Sequence, residues 1–170
     1  MAKRISLREF QEGLVRRLAD ATSSDHRTLL GIQAGEENWI VDLPQAGEIL
    51  PAPPLSPVPL TRPWYRGLAN VRGTLYGVVD FAAFQGGPPI TPGGQARLLL
   101  IGAKHGVNCA ILVSRIVGLR SPEDFEAAGE TDARLWVSDH RRDLQSRPWL
   151  KLDVPALLAA PQFLEAGVGN

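Results

Sequence analysis

The sequence predicts a mainly β protein, arranged as two small barrels with helices toward its ends. Three observations carry this. Between residues 28 and 153 apolar residues alternate with polar ones in short runs, the period of strands rather than helices. The runs recur about every 8–12 residues and are parted by Gly and Pro turns, which favours small barrels or a sandwich. Residues 85–95, Gln-Gly-Gly-Pro-Pro-Ile-Thr-Pro-Gly-Gly-Gln, form a loop between two hairpin-rich halves and read as the internal boundary. Residues 1–26 are then a helix and linker, and residues 27–165 the domain.

The chain opens on an expected amphipathic helix at residues 6–20. Ser6 and Glu9 have the spacing of a capping box, and Leu7, Phe10, Leu14 and Leu18 make one apolar stripe. Packing on its own domain is the favoured role for this helix, and docking on a partner the alternative. Residues 21–25 break the pattern as a linker. Leu30, Ile32 and Ala34, then Trp39, Val41 and Leu43, form a hairpin that turns at Gly35. Residues 46–50 fit a strand or a helical turn. Prolines keep residues 51–59 extended, because each also restricts the residue before it. Pro63 suits the first position of a short helical turn ended by Gly67. Residues 68–71 and 75–79 are strands joined at Arg72-Gly73, and Asp80 is placed to cap a turn of helix over residues 81–84.

Residues 96–101 and 107–113 read as a second strand pair, and residues 115–119 continue in β character. Ser121-Pro122-Glu123-Asp124 is a helix start, with Gly129 as its stop. Residues 135–137 suit a short strand, the polar residues 138–145 a loop, and residues 149–153 a strand. Asp153 caps a helix that begins at Val154-Pro155, and Pro161 opens a last turn carrying Phe163 and Leu164.

Composition excludes several functions. The 18 basic and 18 acidic residues cancel, so there is no electrostatic footprint for nucleic acid or an anionic membrane. Cys109 is the only cysteine and lies in an apolar run, as a small buried hydrophobe; an intramolecular disulfide and a thiolate-zinc site are excluded. The first residues lack an apolar core for a signal peptide, and no run approaches the ~20 residues of a membrane helix. A cytoplasmic protein without a cofactor or membrane insertion is expected. Ser114, Asp80 and His105 make only a nominal triad without a nucleophile elbow. Asp42, Glu48 and Asp80 are candidate carboxylates, with Asp42 expected to face solvent. His26, His105 and His140 are expected at the surface. Arg62, Arg66 and Arg72 beside Trp64 and Tyr65 suggest a single-stranded nucleic-acid site, a weak reading at zero net charge. No catalytic or metal site is assigned.

What stands out is a surface of small residues (Gly67, Ala69, Gly73), apolar residues (Ile49, Leu68, Leu75) and the turn arginine Arg72. An apolar centre with an arginine anchor is the make-up of a protein–protein site. Four stretches appear in order: Ala46-Gly47-Glu48-Ile49, Pro57-Val58-Pro59, Gly67-Leu68-Ala69-Asn70-Val71-Arg72-Gly73 and Val78-Val79-Asp80-Phe81. With them the sequence resembles the CheW-like adaptor family over about residues 27–160, most of all its PilI type, which serves type IV pili and twitching motility. Gly77 departs from the family's usual proline, and Val113-Ser114 from its usual Val-Asp. The resemblance implies two five-stranded SH3-like barrels and no catalysis. It also implies two partners: the cytoplasmic tip of a methyl-accepting chemoreceptor and the regulatory domain of a histidine kinase. By family position Ala46, Glu48, Ile49, Gly67, Asn70, Arg72 and Leu75 would lie on or near the partner surface. Another chemosensory output on the same fold is the alternative.

Overall fold

The computed structural model describes residues 28–101 and 103–167; the expected helix at 6–20 and its linker lie outside the described residues. The chain forms β1 (Leu29–Ala34), β2 (Glu37–Asp42), β3 (Ala46–Pro51), β4 (Tyr65–Val71), β5 (Thr74–Asp80) and α1 (Phe81–Phe84). It continues through β6 (Arg97–Ile101), β7 (Cys109–Val113), β8 (Arg115–Arg120), β9 (Phe125–Ala127), β10 (Val137–Asp143) and β11 (Pro148–Leu152), and ends in α2 (Val154–Ala159) and α3 (Pro161–Leu164). The strands make a six-stranded sheet in the order β8-β1-β2-β11-β10-β9 and a five-stranded sheet in the order β3-β6-β7-β5-β4.

This order corrects the boundary expected at residues 85–95. β5 before that loop and β6 after it lie in one sheet, so the loop does not separate the sheets. β5 and β7 pair in parallel, from Gly77↔Cys109 to Asp80↔Leu112. Parallel neighbours need a long crossover, and residues 85–95 are part of it. The six-stranded sheet is instead built from the two ends of the described chain, and the five-stranded sheet from its middle.

Both sheets curl back on themselves. β8 and β9 are opposite edges of the first sheet, yet only residues 121–124 separate them. In the second, the extended chain leaving edge strand β3 reaches the other edge, β4. There Ser56 and Leu68 exchange two backbone hydrogen bonds, Ser56 N to Leu68 O at 2.8 Å and Leu68 N to Ser56 O at 2.9 Å.

The sheets share one core. Leu30, Ile32, Trp39 and Val41 from the first pack with Leu98, Ile111 and Leu112 from the second, with Trp136 and Phe163 closing the cluster. Phe84 of α1 meets Trp64, Trp136 and Phe163 at centroid distances of 5.0, 4.9 and 5.6 Å. Leu29, Ile40, Phe125 and Trp149 form a smaller cluster inside the curled first sheet. Thus β1 and β2 are buried on both faces. The sheets also join through the backbone: Ser114 N donates to Gln33 O at 2.8 Å, and Gly35 N donates to Ser114 Oγ at 2.9 Å. A hydroxyl thus serves at this joint, where the resembled family usually has a carboxylate.

Three local expectations are corrected. Residues 62–67 form no helical turn: Tyr65 N bonds Arg62 O in a tight turn with Pro63 inside it, and Gly67 lies within β4. The start at Ser121 yields one 3-10 turn, Pro122–Asp124, with Asp124 Oδ2 accepting from Ser121 N. Phe125 is then drawn against Trp149, and residues 125–127 pair with β10 as a strand instead of a helix. Residues 138–145 are mostly strand β10 and not a loop. Asp80 and Asp153 cap α1 and α2 as expected, accepting from Ala83 N and Ala156 N at 3.0 Å each.

Cys109 is buried, and burial pushes its thiol up to about 12. Only the thiolate reacts readily. Native protein is therefore expected not to react with a disulfide reagent at pH 8, and denatured protein to release one equivalent; prompt native labelling would contradict this burial.

Candidate functional site

The site is a hairpin tip held against an edge strand. β4 and β5 pair from Tyr65↔Val79 to Val71↔Thr74, which leaves Arg72 and Gly73 as a two-residue turn. Both have positive φ, 52° and 86°, the type I′ geometry that matches strand twist. Asn or Gly usually occupies the first of these positions, because an L side chain there crowds the backbone. Asn70 Oδ1 accepts from Gly73 N at 2.8 Å and fastens the turn from below.

Arg72 reaches from this tip to Glu48 on β3. Nη1 donates to Oε1 at 2.8 Å and Nη2 donates to Oε2, a forked pair across the two edges of the five-stranded sheet. The Arg72 hydrogen bond holds the Glu48 carboxyl below its usual range, and the Glu48 carboxylate raises the Arg72 guanidinium in turn. The side chains are 70% and 41% exposed, where an ion pair adds little to stability. Leu75, directly across from Asn70, is 54% exposed, and Ile49, next to Glu48, is 39% exposed. Charge, amide and apolar surface are therefore offered outward together.

Of the residues that the resemblance nominated, Glu48, Ile49, Asn70, Arg72 and Leu75 gather here. Ala46 sits apart: it is half-buried, packs on the core and pairs with Ile101. Gly67 has no surface to offer. It is buried at φ 120°, and a Cβ there would stand 2.2 Å from Ser56 O. Its part is to let residues 56–57 lie against β4 and so bring β3 and the hairpin together.

The other candidates disperse. Arg62 Nε donates to Glu165 O, and Arg66 pairs with buried Asp80 at 3.1 Å, so Arg62, Arg66 and Arg72 do not share a patch. Asp42 is half-buried near Lys151 instead of facing solvent, and the carboxylates of Asp42, Glu48 and Asp80 each face a different cation. Ser114 is spent on the joint with Gly35, far in role from a nucleophile. His140, expected at the surface, is largely enclosed between Glu130 and Asp132. Among the described residues no His, Cys, Asp and Glu side chains gather as a metal cluster, and no helix is long and apolar enough to cross a membrane.

Sequence reasoning missed one node. Arg134 bonds Asp132, Glu37 and Gln85 and lies 5.4 Å over the Trp39 ring. Hydrogen bonds from Arg134 hold the Asp132 carboxyl well below the usual carboxylate range. Through Gln85, which also accepts from Trp136 Nε1, the node ties the first sheet to the end of α1. The one signal for it in the sequence is the Asp132-Ala133-Arg134 spacing just before Leu135-Trp136.

The description of the CheW-like domain matches residues 28–162. The protein PilI of Pseudomonas aeruginosa is 27% identical over 142 residues, spanning 82% of this chain and 79% of that protein. The scaffolding protein TtCheW of Thermoanaerobacter tengcongensis aligns with a TM-score of 0.64 over 75% of this chain and 89% of its own, at 13% identity, a likeness of fold. The match spans every strand of both sheets, and the chain belongs to the CheW-like domain family.

Proposed function

We propose that the chain is a non-catalytic signalling adaptor of the chemosensory system that governs type IV pili. It joins the cytoplasmic tip of a methyl-accepting chemoreceptor to the regulatory domain of a histidine kinase. The likeness to PilI supports the pathway, and the Arg72 hairpin supports the binding role. One observation carries the reading: Arg72 occupies a backbone conformation that disfavours it, at a position where its side chain stabilises little. Strain kept at an exposed residue points to function. The forked guanidinium, with Leu75 exposed on the same hairpin and Ile49 exposed next to its partner Glu48, suits the side of a helical receptor tip, with apolar contact and a charged anchor.

Arg72→Asn tests this, because asparagine accepts the turn geometry and removes the charge. The variant is expected to melt at or above the wild-type temperature. It is expected to lose about tenfold or more of its affinity for the cognate receptor fragment or kinase domain in a pull-down titration. Unchanged binding by a folded variant would sink the adaptor site.

A further inference from the structure

A second surface lies on the other sheet. A groove of about 550 Å³ runs along β8, between that strand and the turn from Asp143 to Arg147. Phe125 and Trp149 form its floor, and Leu119 and Leu144, 60% and 72% exposed, stand along its walls. β8 is an edge strand that bonds β1 on one side, so among the described residues its other side has no strand partner. Val117 and Leu119 both line the groove; a bulge at Val117, between Ile116 and Gly118, turns Val117 onto the Phe125 and Trp149 floor and leaves Gly118 to Arg120 as the regular stretch of the edge.

The charge of the groove is unbalanced. Its two carboxylates are engaged at home. Asp143 accepts from the amides of Gln145 and Arg147, the Arg147 side chain and the Trp149 indole, and Asp124 caps the turn at Ser121. Arg115 and Arg120 instead donate to neutral oxygens, Gln33 Oε1 and Leu119 O. Among the described residues neither has a carboxylate partner. Two uncompensated guanidiniums beside exposed leucines and an open strand edge call for an occupant with matching features.

We propose that this groove takes an extended, acidic segment of a partner protein, which adds as a strand to β8. Apolar side chains lie against Leu119 and Leu144, carboxylates meet Arg115 and Arg120, and main-chain hydrogen bonds form along β8 on the C-terminal side of its bulge, at Gly118 to Arg120. The surface belongs to the six-stranded sheet, away from the Arg72 hairpin on the five-stranded one, and does not rest on the adaptor reading.

The test uses the full chain and a short fluorescent peptide of alternating leucine and threonine with glutamates at both ends, followed by anisotropy at low ionic strength. Saturable binding is expected, weakened about tenfold or more by Arg120→Glu, by Arg115→Glu and by Leu119→Ser, and by raising the salt. A peptide N-methylated at alternate residues, which removes its donors, is expected to lose binding, as is one ending in lysines. Arg72→Asn is expected to leave binding unchanged, so this result and that of the adaptor reading fail separately. No saturable binding, equal binding of the lysine or N-methylated peptide, or indifference to all three groove variants overturns the proposal.

Discussion

Gly67→Val is expected to lower the thermal midpoint by ~10 °C or more, the scale of a loss of ~3–5 kcal/mol in a domain of this size. The clash is with backbone. A Cβ at Gly67 would meet Ser56 O at 2.2 Å, Ser56 C at 2.8 Å and Pro57 Cα at 3.1 Å, and its φ of 120° is one that L residues rarely adopt. Relief requires residues 56–57 to leave β4, which breaks both hydrogen bonds between Ser56 and Leu68. The edges of the five-stranded sheet then separate, and Glu48 moves away from Arg72. Gly73→Ala is the control, since it too has positive φ, 86°, but no atom lies within 4 Å of its missing Cβ. Paired melts of Gly67→Ala and Gly73→Ala separate contact from backbone strain. Equal losses in the two would refute the role given to the Ser56 approach.

That role was hidden from the sequence, and the reason is physical. A glycine has no side chain with which to declare a face, so Gly67 reads equally as a turn end, a surface gap or a close approach. The residues of the tip were legible because turn chemistry is local: Asn70, Arg72 and Gly73 lie within one hairpin. The pairing of Arg72 with Glu48 was not, because it depends on the return of the chain at Ser56, which is set by tertiary closure.

The same division runs through the fold. β1 and β2 were legible from their alternation and β7 from its buried apolar run, although Leu43, expected on the apolar face of β2, lies past its end and is exposed. β10 was not, because its side chains are held by charge. Arg141 pairs with Asp139, Arg142 with Glu130 and His140 with Asp132, so no apolar alternation marks the strand. The helix expected after Ser121 had a sound start, yet burying Phe125 against Trp149 outweighs propensity beyond one turn. Sheet membership was the deepest miss, since pairing the two ends of the described chain around its middle leaves no trace in any local window.

Asp80→Ala is expected to cost ~3–5 kcal/mol, the usual consequence of breaking a buried ion pair from one side. Its carboxylate is wholly buried and serves three donors: Ala83 N at 3.0 Å, Ile90 N at 2.7 Å and Arg66 Nη1 at 3.1 Å. Loss of the cap alone accounts for ~1 kcal/mol. The Ile90 amide, inside the crossover between β5 and β6, is left buried without its acceptor, which costs a further ~1–3 kcal/mol. Arg66 also holds Ile90 O at 2.9 Å, so carboxylate and guanidinium clamp the same residue from both sides. Asp80→Asn is no rescue, because an amide nitrogen would point a donor at a donor. Because the two groups act as one clamp, Arg66→Met and Asp80→Ala are expected to cost less together than the sum of their separate losses by ~1 kcal/mol or more. Denaturant melts of the two single variants and the double variant measure that difference, and strict additivity would show that the clamp does not exist. Amide exchange at Ile90 gives a local check: it should quicken in Asp80→Ala before β6 and β7 lose protection.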